Sequence, residues 1–302
     1  MHKADIAALL ALGAAFFIAV GDVIHQRSAQ QMSDESVGHL RLFARLLRDR
    51  RWWLGSLVAG AGFALQAAAL GLGSVLLVQA LLVTSLLFAL PINARLTHRR
   101  VTRFEWTWAA LLAASVAVIV TVGDPTAGHS RASVQVWLGV GAVLGPAVVL
   151  CLVGARYFGA QERGGRGRGS AGTVSAILLA CVSGAMWGLF AVLTKGVVDR
   201  LEHGPLAVLG TPELYAWALV AVAGTGWQQA AFRAGTLTAS LPTMTVAEPV
   251  VASILGIVVL GETLRPGDAG WITLVVAVLV MVVATGALAR GEAGWAQEPA
   301  RR

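Results

Sequence analysis

Runs of mostly apolar residues follow one another along almost the whole chain, and many of them are long enough to cross a bilayer. A helix needs roughly 20 such residues to traverse a hydrocarbon core about 30 Å thick. Inside that core the backbone must satisfy its own hydrogen bonds, so the runs are expected to be helices and not open strands. Nine spans are read: Asp5–Gln26, Trp52–Leu72, Val75–Leu96, Phe104–Val122, Val134–Tyr157, Thr173–Thr194, Pro212–Ala231, Leu237–Leu260 and Asp268–Ala289. Their glycines, alanines, serines and threonines let helix backbones approach closely, which predicts a packed all-α bundle. Asp5 and Asp22 fit poorly with a cleaved signal peptide, so the first run is read as a span.

Charge supports this class. Only 13% of residues are charged, against about a quarter in a soluble domain. The net charge of +7 does not imply nucleic acid, because the arginines fall in the gaps between apolar runs. The Gly-Arg stretch from Arg163 to Gly169 then reads as a basic loop. Eighteen of the 23 lysines and arginines lie on one side if the N-terminus is outside; the other side holds Lys3, Arg131, Lys195, Arg200 and Arg265. That asymmetry predicts an outside N-terminus, a cytoplasmic C-terminus and a multi-pass protein of the cell (inner) membrane. Between Ser36 and Arg50, Val37, Leu40, Phe43 and Leu47 recur at helical spacing opposite Arg41, Arg45 and Arg48. Residues 36–50 are therefore expected to lie in the lipid interface, with docking of a partner as the other reading.

The chain also repeats itself. At a shift of 163 residues Gly21 meets Gly184, Gln66-Ala67-Ala68 meets Gln229-Ala230-Ala231, Trp108 meets Trp271, and Gly123 meets Gly286. The first span matches the sixth, an odd number of crossings away, so matched helices should run in opposite directions. Such inverted repeats can rock about a site at the midplane. The predicted organisation is a first repeat over residues 1–130 and a linking span with basic loop over 131–170. A second, inverted repeat over 171–290 and a tail over 291–302 follow.

Ala247-Glu248-Pro249-Val250-Val251-Ala252-Ser253-Ile254-Leu255-Gly256, followed by Leu260-Gly261-Glu262-Thr263-Leu264, resembles the signature of the drug/metabolite transporter superfamily, EamA type. Gly184–Lys195, with Trp187 and Gly188, is similar to the first helix of that domain. Trp52-Trp53-Leu54-Gly55, Gly62, Gln66-Ala67-Ala68 and Leu77-Val78 resemble the nine-span branch of NIPA-like magnesium transporters. That branch carries a glutamate where this chain has Phe63, and an asparagine where it has Gln66. A hard divalent cation prefers anionic oxygen ligands. The superfamily resemblance implies a secondary transporter working by alternating access.

An ionisable group within the bilayer costs at least about 2.5–3.5 kcal/mol on insertion scales and calls for an explanation. Glu248 sits near the middle of the eighth span, just before Pro249, whose ring frees a backbone carbonyl. Together they could take up a proton or coordinate a cation; the alternative is a protonated glutamate in a structural hydrogen bond. Asp22 and His25 share a helix face and could relay protons or simply reach the interface. Gln66 and Gln229 are matched across the repeat, with Gln228 adjacent and Gln79 also available, and could bond substrate or join helices. Trp187 and Trp227 could line an aromatic pocket for an organic cation. Pro91, Pro242 and Pro249 predict helix kinks, and Glu262 and Arg265 a rim contact that anchors a helix end. Cys151 and Cys181 form no disulfide framework or metal site. Ser183-Gly184 follows Cys181-Val182 and lacks the first glycine of an intramembrane serine-protease pattern, and no zinc motif or phosphate-binding glycine loop is found.

The expectation is therefore a non-enzymatic carrier without a cofactor, for a small metabolite or organic cation, possible as a homodimer and coupled to protons through Glu248. Its alternatives are a divalent-cation transporter of the NIPA-like kind, and a lipid-handling or scaffold protein of envelope assembly.

Overall fold

The apolar runs fold as helices, described in a computed structural model over residues 3–32, 50–96, 100–163, 170–234, 237–267 and 270–296. The helices are α1 (Lys3–Met32), α2 (Arg50–Leu72), α3 (Val75–Leu82), α4 (Ser85–Leu96), α5 (Arg103–Thr121), α6 (Val134–Arg163), α7 (Ser170–Leu201), α8 (Pro205–Leu209), α9 (Pro212–Ala234), α10 (Leu237–Leu260) and α11 (Gly270–Ala296). Most of the interfacial segment expected at 36–50, most of the basic loop and the end of the tail lie outside the described residues.

Eight segments among the described residues are long and apolar enough to cross a membrane, so the chain is a multi-span membrane protein. They match eight of the nine expected spans. The exception is Pro212–Ala231, which forms the helix α9 but is too polar to rank with the others. Glu213, Gln228, Gln229 and Arg233 dilute its apolar content. The third span is not one helix. It breaks at Val83–Thr84 into α3 and α4, and Thr84 Oγ1 turns back onto the Leu81 carbonyl.

Small residues set the packing. A methyl group on Gly21 would lie 2.9 Å from the Ala59 Cβ, and one on Gly62 would lie 2.8 Å from Ile18. Further along, Gly73 abuts Ala7. As numbers rise on α1 they fall on α2, so this pair is antiparallel. Contacts between α2 and α7 rise together: Phe63 stacks on Trp187, and Gly71 touches Val198. These two helices are parallel, and α1 therefore runs opposite to α7. On α9, Gly224 lies by Ser183 and Trp217 by Thr194, so α9 returns antiparallel beside α7. Gly184 and Gly188 of α7 meet Ala247 and Ala252 of α10 in parallel.

The main core joins α1, α2, α3, α4, α5, α7, α10 and α11. Every residue of α3 is buried. Helix α6 sits at the flank, packed mainly on α7, where Ser175 Oγ donates to the Ala155 carbonyl at 2.9 Å. Much of its surface is exposed apolar side chain, including Val143 and Leu150.

Candidate functional site

Helix α7 carries two features one above the other. Gly184, Trp187 and Gly188 lie along its lower stretch, and Thr194 and Lys195 lie about two turns beyond.

At the lower level the two glycines admit the backbone of α10 where Glu248 and Pro249 sit. A methyl group on Gly188 would lie 2.9 Å from the Glu248 carbonyl oxygen, and one on Gly184 3.1 Å from the Glu248 nitrogen. Glu248 is half-buried, and Pro249 and Pro242 are buried inside the helix. The indole of Trp187 lies against Gly224 of α9 and stacks on Phe63 of α2 at 6.3 Å. Phe190 meets Trp187 edge-on at 5.2 Å and stacks on Trp217 at 5.0 Å. Trp217 Nε1 donates to Thr194 Oγ1 at 2.9 Å. This ladder of π faces spans α2, α7 and α9, and such faces attract cations.

Other expected residues are dispersed. Gln66 is buried on the stripe Gly62–Gln66–Ala69–Gly73 that faces α1, whereas its repeat mate Gln229 is exposed. The two do not occupy equivalent surroundings. Gln228 is half-buried, one turn beyond Gly224 on α9. Gln79 is buried in α3, and its Nε2 has no hydrogen-bond partner among the described residues. Pro91 lies within α4. Asp22 and His25 lie on α1, and their side chains fall outside the described set.

The upper feature was not expected. Lys195, counted from the sequence among the charges of the outer side, lies inside the bundle because α7 continues to Leu201. Its Nζ donates to Glu262 Oε1 at 2.8 Å and to the Gly73 carbonyl at 2.9 Å. The Glu262 side chain is fully buried. It does anchor a helix end. Oε1 accepts from Val75 N at 2.7 Å and Oε2 from Leu76 N at 3.0 Å, while Ser74 Oγ accepts from Leu77 N at 3.0 Å. The first N–H groups of a helix have no partner within it, and the dipole there favours negative charge. The carboxylate thus closes the start of α3, and the ammonium binds a carbonyl next to the end of α2. The break between the two helices is held from both sides.

The chain reverses at Gly261, whose φ of +64° is a conformation glycine adopts without strain. A strap after α5 then covers Glu262. Thr126 pairs with Thr263, His129 N donates to the Leu260 carbonyl at 2.7 Å, and Arg265 N donates to the Gly123 carbonyl at 2.8 Å. Beyond the strap Arg131 forms an ion pair with Glu213 at the start of α9. Beside that pair is a void of about 10 Å³, lined in part by Leu193 and Leu260. Among the described residues no group of three or more acidic, histidine or cysteine side chains is arranged to hold a metal.

A protein of Corynebacterium glutamicum described as uncharacterized is 37% identical over 288 residues, covering 94% of this chain and 95% of its own. No protein-family model matches the chain. No solved structure matches it.

Proposed function

We propose a transport function for this multi-span membrane chain, which belongs to the family of the Corynebacterium glutamicum protein. In this reading it is a secondary carrier that moves a small metabolite or organic cation by alternating access. Helix α9 is the ninth crossing, polar because it lines the path. The N-terminus is outside and the C-terminus cytoplasmic, as the arginine distribution favours.

The observation that carries the reading is the opposed direction of α1 and α7, the two helices matched by Gly21 and Gly184. Opposed, similar halves are the arrangement from which alternating access follows. The EamA-like run around Glu248-Pro249 and the discontinuity of the third span at Val83–Thr84 add to it. Broken or proline-interrupted helices in corresponding places of two halves mark binding sites in such carriers. Here Val83–Thr84 matches Val246–Ala247 at the 163-residue shift, immediately before Glu248. Glu248 is the proton- or cation-binding group, and Trp187 with Phe63 offers the aromatic wall.

Reconstitution into proteoliposomes tests this. Solute-dependent flux is expected, with a pH dependence that Glu248→Gln removes. An unchanged pH profile takes Glu248 out of the mechanism. Absence of flux for metabolites and cations, together with a stably bound envelope protein, replaces the carrier by the scaffold alternative.

A further inference from the structure

We propose that the Lys195–Glu262 pair, clamped on the backbone of the Gly73–Leu76 break, is a latch. It closes one end of the bundle and parts when a solute passes there. The proposal rests on the carrier reading and adds the closing element to it.

Three segments far apart in the chain meet at this point. Glu262 reaches Val75 and Leu76 across 187 and 186 residues, and Lys195 reaches Gly73 across 122. The early part of the chain contributes only backbone groups, and the late part contributes both charges. Two further contacts join the same parts at the same end: Gly71 touches Val198, and the strap pairs Thr126 with Thr263. The fit beneath the strap is tight enough that Gly128 has no room for a side chain against the Leu260 carbonyl.

The chemistry suits a contact that opens. A buried ion pair is often no more stabilising than a hydrocarbon contact of the same volume, because both ions lose their hydration. When the two parts separate into water the balance changes. Both charges are then hydrated, whereas a hydrocarbon contact leaves apolar surface exposed. Closed, the pair is satisfied by its own members and three backbone groups; open, water takes their place. A closure that must admit water is therefore easier to open when built from charges.

The experiment uses the full-length protein in proteoliposomes, with Cys151 and Cys181 replaced by serine and a reporter Leu193→Cys, which lines the void beside the Arg131–Glu213 pair at the same end of α7. A membrane-impermeant thiol reagent should label the reporter slowly. Glu262→Gln and Lys195→Met should each speed that labelling at least about tenfold, as a shift toward the open form requires. A second reporter, Leu179→Cys, lies toward the other end of α7 and should not speed up. Unchanged labelling at 193 in variants that still melt cooperatively overturns the latch. So does an equal rise at both reporters, which describes general loosening.

A second measurement keeps the latch residues intact. Val198 Cβ lies 3.9 Å from where a Gly71 Cβ would be, within the range for a disulfide. Oxidising Gly71→Cys/Val198→Cys should suppress labelling of Cys at 193, read by mass spectrometry of its peptide, and reductant should restore it. Labelling indifferent to the crosslink overturns the proposal even if the charge variants do not fold. Because these readouts need no solute, a working latch without flux counts against the carrier, and flux without a latch counts against this inference alone.

Discussion

Gly256 and Glu262 share one space: a methyl group on Gly256 would lie 2.9 Å from Glu262 Oε2. The carboxylate folds back against α10, and only a bare backbone at position 256 leaves it room. Gly256→Ala should therefore push the carboxylate away from Val75 N and Leu76 N. The gain in helix propensity, up to about 1 kcal/mol, opposes this. Overpacking and the lost cap are expected to dominate, by about 1–3 kcal/mol. A lower melting temperature in detergent checks it, and a rise refutes the crowding.

Removing one member of the ion pair should be worse than removing both charges. Lys195→Met leaves a buried carboxylate without its cation, at a cost of about 3–5 kcal/mol. Glu262→Gln added to it restores neutrality while keeping an acceptor for α3. The double variant should therefore be more stable than Lys195→Met alone, and less destabilised than the sum of the singles by at least about 1 kcal/mol. Additive melting shifts in a double-mutant cycle would mean that the charges do not sense each other.

The sequence shows much of this architecture and little of its polar centre. Span length makes the membrane class and eight crossings legible, since few soluble elements demand runs like Val134–Tyr157. The break at Val83–Thr84 has no glycine or proline to announce it; it lies in Leu82-Val83-Thr84-Ser85, which reads as continuous helix. Lys195 and Glu262 are 67 residues apart and bond to backbone, a partner that no residue pattern encodes. A signal was present, because Lys195 stands alone among apolar neighbours and Gly261-Glu262 follows the end of a span. The repeat pairs Gln66 with Gln229 in sequence without giving them the same surroundings. Matching positions suggested matching roles, but one faces α1 and the other is exposed.

Glycines at crossings and glycines on the flank should respond oppositely. A methyl group on Gly184 would lie 2.6 Å from the Ala247 Cβ, whereas nothing lies within 4 Å of one on Gly141. Gly184→Ala is expected to cost about 1–3 kcal/mol, and Gly141→Ala, inside α6 with open space around it, to gain up to about 1 kcal/mol from helix propensity. Unfolding in a denaturant series compares the two directly, and equal effects would remove close packing of α7 on α10 as the cause.

Trp217→Phe keeps the ring beside Phe190 but deletes the 2.9 Å bond to Thr194 Oγ1. Thr194 still donates to the Phe190 carbonyl at 2.7 Å, so no buried donor is stranded. The loss should be no more than about 0.5–1.5 kcal/mol. Thermal melting of Trp217→Phe and Trp217→Ala separates the bond from the packing, and the alanine variant should fall further.

Helix α3 has a consequence for how the protein is made. Eight residues rise only about 12 Å, too little to cross a bilayer unaided, and its first two N–H groups are capped by a carboxylate 187 and 186 positions later. During synthesis that turn is left waiting until nearly the whole polypeptide has entered the membrane. Maturation thus finishes deep in the early sequence, and a chain truncated before residue 262 lacks the piece that completes it.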